Sequence, residues 1–160
     1  MKQHPVYYSY VEGQNVLTCL ESTPGTYASL VRGWPRQRDD QSYAPGKWTA
    51  RQILVHLAQI EMVFTSRLRF ALTATDYVVQ PFEQDDWMAL EPSVSALEAL
   101  DAYLGMRRMN LLLCRALTAE QRTRRFTHPE FGEIDVDWLL NWCAGHERHH
   151  LPQVETIARG

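Results

Sequence analysis

The residues best suited to chemistry crowd the C-terminal part of the chain. Within Trp138-Leu139-Leu140-Asn141-Trp142-Cys143-Ala144-Gly145-His146-Glu147-Arg148-His149-His150, three of the chain's six histidines fall between positions 146 and 150. An α-helix turns about 100° per residue, so His146 and His150 stand one turn apart and only about 40° apart around the axis. Two imidazoles placed in this way can share one metal ion. They also continue an apolar row: Val136, Leu139/Leu140, Cys143, His146, His150, Val154 and Ile157. Burying both rings there requires either a metal or two separate hydrogen-bond acceptors. A third histidine, His56, interrupts a second row made of Ile53, His56, Ile60, Val63, Arg67 and Phe70. His56, His146 and His150 are therefore the candidate metal ligands. Three neutral imidazoles leave a coordination position for water or substrate, the layout of a catalytic site rather than a closed structural one. Zinc or nickel suits imidazole donors.

Other residues near these rows carry weaker chemical signals. Arg67 can line a cavity and bind an anion there, or bury its stem while its head reaches a carboxylate. His146-Glu147-Arg148-His149-His150 spells H-E-x-x-H, in which the glutamate activates zinc-bound water, so Glu147 is a candidate base. A zinc-protease reading lacks its other parts. No histidine follows His150, Glu155 falls about 140° round the helix from it, and no strand is evident to align a peptide. A di-iron bundle would need a second Glu-x-x-His to match Glu147-x-x-His150, and the second helix has none. His149 reads as a flanking residue beside Trp142. His4 and His128 read as loop residues, with His128-Pro129 capping a turn. Cys143 reads as a small buried hydrophobe.

The elements that must position these residues read as helices. Asn15 to Glu21 predicts a short helix. Ser22-Thr23-Pro24 reads as the start of another, with a hydroxyl cap and a first-turn proline; Gly33 and Pro35 end it. Arg36 to Lys47 is polar and reads as a loop. Thr49 caps a second long helix running to about Thr73, whose inward row holds His56 and Arg67. Thr75 to Pro92 reads as a long connection with Tyr77, Phe82 and Trp87. A third helix spans Ser93 to Ala116, with Val94, Leu97, Leu100/Asp101, Leu104, Met109, Leu112 and Leu113 as its apolar positions. Thr118-Ala119-Glu120-Gln121 carries a capping signature. Phe126 to Ile134 reads as an extended loop, and Asp135 or Asp137 caps the last helix. Pro152 cannot donate to the Arg148 carbonyl, which predicts a bend or break that reorients Gln153 to Ile157. Residues 1 to 13 read as extended and ordered by Tyr7, Tyr8 and Tyr10. The sum is an all-α fold, a four-helix bundle with long connections between helices.

Composition bounds the function. The 160 residues suit a single domain over 1–160, with 45% hydrophobic and 22% charged residues. The formal net charge is −3 and no basic run interleaves with aromatics, which argues against nucleic acid as a partner. Apolar runs are too short to span a bilayer, and the N-terminus lacks the apolar core of a signal peptide. Cys19, Cys114 and Cys143 form no disulfide framework, which fits a reducing cytoplasm.

Four segments together resemble the DinB/YfiT-like superfamily: Pro45-Gly46-Lys47-Trp48-Thr49, Ile53-Leu54-Val55-His56-Leu57-Ala58, His128-Pro129-Glu130-Phe131-Gly132, and Gly145-His146-Glu147-Arg148-His149-His150-Leu151-Pro152-Gln153. The resemblance runs roughly from Ser22 to Ile157. It implies a four-helix bundle binding one divalent metal through a histidine of the second helix and an H-x-x-x-H pair of the fourth, which correspond to His56, His146 and His150. It further implies a metal-dependent hydrolase, or a thiol transferase in which the metal presents a low-molecular-weight thiol to a small-molecule electrophile. A homodimer through bundle faces is also implied. The competing reading is a non-catalytic metal-binding or stress-response bundle; a substrate-sized cavity at the site would favour the enzyme, and a site plugged by Trp142, Phe70 or a tyrosine would favour the alternative.

Overall fold

A computed structural model describes residues 4–160. In chain order the elements are a 3₁₀ turn at Tyr8–Tyr10, α1 (Val16–Val31), a second 3₁₀ turn at Arg36–Asp40, α2 (Ala50–Thr73), α3 (Gln84–Leu90), α4 (Ala96–Ala116), α5 (Ala119–Arg122), β1 (Arg125–His128), β2 (Gly132–Asp135) and α6 (Val136–Arg159). The long helices α1, α2, α4 and α6 form a four-helix bundle. Its principal neighbours are α2 with α4, α4 with α1, α1 with α6 and α6 with α2. The consecutive helices α1 and α2 thus stand on a diagonal, and so do α4 and α6. This arrangement sets α2 beside α6, where His56 can meet His146 and His150.

Local signals fix most helix ends. The Thr49 hydroxyl accepts from the Gln52 N–H while the Gln52 side chain accepts from the Thr49 N–H, a reciprocal cap that starts α2. Ser95 and Glu98 do the same for α4, so that helix begins three residues later than Ser93. Thr118 and Gln121 cap the single turn α5, and Asp135 caps α6 at the Trp138 N–H, 2.8 Å away.

Ser22-Thr23-Pro24 does not begin a helix: α1 starts at the Asn15 cap and runs through Pro24. The carbonyl four residues earlier, on Leu20, loses its helical donor at proline. Arg107 of α4 donates to it instead at 3.1 Å. The expected break at Pro152 is also absent, because α6 continues to Arg159. Pro152 is exposed, on the side where a freed carbonyl can reach solvent, while Val154 and Ile157 stay buried and hold the last turns down. On α4 the inward face is not the apolar row read above. Leu97, Met109 and Leu112 are exposed, and Leu100, Tyr103, Arg107, Asn110 and Cys114 are buried. Phe70, placed on the inward row of α2, is also exposed. Residues 126 to 134 form an antiparallel hairpin, with Phe126 opposite Ile134 and His128 opposite Gly132; Val79 and Tyr77 add backbone hydrogen bonds to its Thr127. Inside the long connection, Gln84–Leu90 coils into α3. Tyr77 packs on Phe126, Tyr77 and Phe82 lie against the core, and Trp87 meets Phe82 within the connection. Between Tyr7 and Val11 the chain turns rather than extends.

The core divides along the bundle axis. One apolar cluster holds Leu20, Phe64, Leu68, Leu139 and Leu140; another holds Tyr27, Leu54, Leu57, Leu100 and Ile157. A polar belt lies between them. Arg107 donates to Glu61 at 2.5 and 3.0 Å and to Glu147 at 2.6 Å, all buried. Asn110 donates to Glu61 and Tyr103 to Glu147, while the Tyr27 hydroxyl donates to the Glu147 carbonyl. The belt joins all four long helices. No helix among the described residues is long and apolar enough to cross a membrane.

Candidate metal centre

His56 comes from the second turn of α2, directly after the Thr49 cap. His146 and His150 come from the middle of α6, next to the polar belt. Their ligand atoms all lie within 4.8 Å of one another and all three residues are buried. The Nε2 atoms of His56 and His146 are 3.1 Å apart. Two imidazole nitrogens bound to one ion at about 2.1 Å, meeting at about 90–109°, would stand about 3.0–3.4 Å apart, so this spacing fits a shared metal. The Nδ1–H of His150 donates to Gln153 Oε1 at 2.9 Å, which leaves its Nε2 lone pair free for a metal. The Nδ1 atoms of His56 and His146 have no hydrogen-bond partner among the described residues.

Burial keeps these rings neutral. It pulls His56 down to about 3, with the His150 charge adding to the effect, and pulls His150 down to about 4 despite the opposing bond from Gln153. His146 is held well below the usual imidazole range by burial and by the other histidines. Neutral imidazoles are the form that binds metal.

Aromatic rings wall the cluster. Trp48, delivered by the loop before α2, lies 4.8 Å from His56 and stacks on His150 at 6.3 Å. Trp142 stacks on His146 at 5.7 Å. Tyr7 meets His146 edge-on at 5.1 Å and stacks on His149 at 4.7 Å, so His149 is held by the N-terminal segment, where Tyr10 also bonds it at 3.0 Å. These rings do not plug the site. A cavity of about 450 Å³ opens on His56 and His146, lined also by Arg67, Phe82, His128 and Trp142. A second cavity, of about 310 Å³, is lined by His146, His149 and His150.

Arg67 is buried and lines the larger cavity. Glu147 is turned away from both: its carboxylate is tied to Arg107 and Tyr103 in the belt, and burial raises it to about 7 against the pull of Arg107. One position along a helix is a turn of about 100°, which carries Glu147 off the histidine face and into the bundle. Cys143 is buried, but it touches the belt rather than the histidines, with Sγ 3.6 Å from Glu61 Oε1. His128 does cap a turn, its Nδ1 accepting from the Glu130 N–H at 3.2 Å, and it also lines the larger cavity. Tyr7, Trp48, His128 and Gln153 are the site residues that sequence reasoning missed. Of these only Gln153, one turn past His150, carried a local signal.

A four-helix bundle with three converging histidines on its second and last long helices defines the class. The DinB superfamily model matches residues 20–154, and the chain belongs to that superfamily. It is 31% identical over 147 residues to a protein of Oceanobacillus iheyensis named "Putative metal-dependent hydrolase", covering 88% of this chain and 82% of that one. A Bacillus cereus protein of the same name is 28% identical over 144 residues, with the same coverage. The fold is similar to that of YfiT from Bacillus subtilis, described as "a probable metal-dependent hydrolase with an unusual four-helix bundle topology". That likeness has a TM-score of 0.82 at 25% identity and covers 90% of this chain and 84% of the other.

Proposed function

We propose that the protein is a metal-dependent enzyme acting on a small molecule, a hydrolase in the first instance, with one divalent ion held by His56, His146 and His150. The observation that carries this reading is a cluster of three neutral imidazoles, two of which, His56 and His146, stand at the wall of an open cavity of about 450 Å³, while His150 lines the adjoining one. A closed structural site would have no use for that space. The names of the relatives support the hydrolase class. Bound there, a divalent ion such as zinc or nickel would supply Lewis acidity to the nucleophile that shares the site. The chain's own residues do the rest. Gln153 fixes the tautomer of His150, Trp48 and Trp142 hold the rings in place, and Tyr7 narrows the approach. Protein reconstituted with zinc should turn over members of a panel of small esters and amides, and His150→Ala should abolish that turnover. No metal-dependent turnover on such a panel, with or without a thiol, would contradict the reading.

One observation favours a second reading, transfer of a low-molecular-weight thiol. Two cavities meet at the histidines and share Tyr7, Gln84 and His146, which gives room for two reactants. Turnover of 1-chloro-2,4-dinitrobenzene that appears only with an added thiol and bound metal would select the transferase. Assembly is part of the same proposal: the exposed Leu97, Met109 and Leu112 of α4 suit a homodimer face. Light scattering should return twice the chain's 18.6 kDa; a monomer mass removes the dimer.

A further inference from the structure

The larger cavity has a second end. Arg67 lies about three turns beyond His56 on the same face of α2, and the cavity reaches both. The residue is 6% exposed; Tyr77 is the titratable group that acts on its charge, and no carboxylate forms an ion pair with it among the described residues. Nη2 donates to the Gln80 carbonyl at 3.3 Å. Nε has no hydrogen-bond partner among the described residues, and the guanidinium carbon stands 5.5 Å from the Trp142 ring centroid. Buried charges are normally paired, and a guanidinium cannot shed its proton inside a protein. A buried guanidinium with an unused N–H, at the wall of an open cavity, has the chemistry of an oxyanion site.

His128 adds a second donor. Its Nδ1 accepts from Glu130, so the neutral ring carries its proton on Nε2. Burial, and then the Arg67 charge, keep that ring neutral. Glu83 and Glu130 also line the cavity but are exposed, so water screens them. The cavity also has an apolar lining, from Ile60, Phe82, Phe131, Trp138 and Trp142. Trp142 links the ends, stacked on His146 and lying beneath Arg67.

We infer that this cavity takes a small organic carboxylate. Its carboxylate sits on Arg67 with His128 beside it, its apolar body lies along Trp142, and its reactive group faces the three histidines. One guanidinium beside one neutral imidazole matches a single negative charge. The inference deepens the metal-centred reading and rests on it only for where the reaction occurs; the anion site stands without it.

The test titrates the full-length, zinc-loaded protein with phenylacetate and with its neutral isostere phenylacetamide. Phenylacetate should bind about tenfold to a hundredfold more tightly, the worth of a hydrogen bond to a charged group. Arg67→Gln should erase that preference and leave the amide's affinity in place, and Arg67→Lys should keep part of it. A carboxylate bound to zinc instead would keep its preference in Arg67→Gln, which overturns the inference. Equal binding of both probes by the wild type, or no saturable binding of either at millimolar concentration, overturns it too, and neither outcome depends on the variants folding. Repeating the titration after chelation separates the two claims. A preference that survives without zinc supports the anion site whatever becomes of the metal; its absence in protein holding one equivalent of zinc sinks the anion site alone.

Discussion

Gln153 can be removed without touching a candidate ligand. Its side chain accepts from His150 Nδ1 and so fixes the ring's tautomer and orientation. Partners of this kind are typically worth about 10- to 100-fold in metal affinity. Gln153→Ala should therefore weaken zinc binding by about that factor in competition with a chromophoric chelator, with the helical circular dichroism unchanged; unaltered affinity would mean that the bond is incidental. His56, His146 and His150 were legible in the sequence because each breaks an apolar row at helical spacing. Trp48, Tyr7 and His128 were not. They reach the site from loops and a hairpin, and nothing in their local sequence encodes that approach. Glu147 was misleading for a related reason: H-E-x-x-H is a spacing along a chain, and only the partners on α4 decide which way the carboxylate points.

The N-terminal turn leans on the middle of α6. A Cβ built on Gly145 would collide with the Tyr7 carbonyl group, whose carbon would lie 2.9 Å away. Glycine is required there by the close approach of two backbones. Gly145→Ala should displace the Tyr7 segment and with it the ring that covers His146 and His149. Hydrogen exchange checks this: the amides of Tyr8, Tyr10 and Val11, bonded within the turn, should lose protection while those of α6 keep theirs. Unchanged protection in the turn would show that the contact is not needed. Reciprocal caps made the starts of α2 and α5 readable. Pro24 defeated the same logic, because Ser22-Thr23-Pro24 has the local pattern of a helix start and the donor that lets α1 continue, Arg107, comes from another helix. The hairpin was missed because its strands are four residues each, with only Phe126 and His128 buried in the first.

Across the whole molecule, the belt around Arg107 explains why the inward face of α4 was misread. An arginine and an asparagine occupy core positions because Glu61 and Glu147 meet them from α2 and α6, and no reading of α4 alone contains that fact. Arg107→Met should cost about 3–5 kcal/mol, since it leaves two buried carboxylates without their cationic partner and the Leu20 carbonyl without its donor. Urea denaturation measures it, and stability equal to wild type would show the belt to be dispensable. The same belt ties α2 to α6 and so holds His56 against the H-x-x-x-H pair. The central claim is that these three histidines make one metal site, and metal content tests it most directly. Protein purified without a histidine tag and equilibrated with zinc should carry close to one equivalent by elemental analysis, and the variant with alanine at positions 56, 146 and 150 should carry none. An empty wild type, or stoichiometric zinc retained by the triple variant, would contradict it.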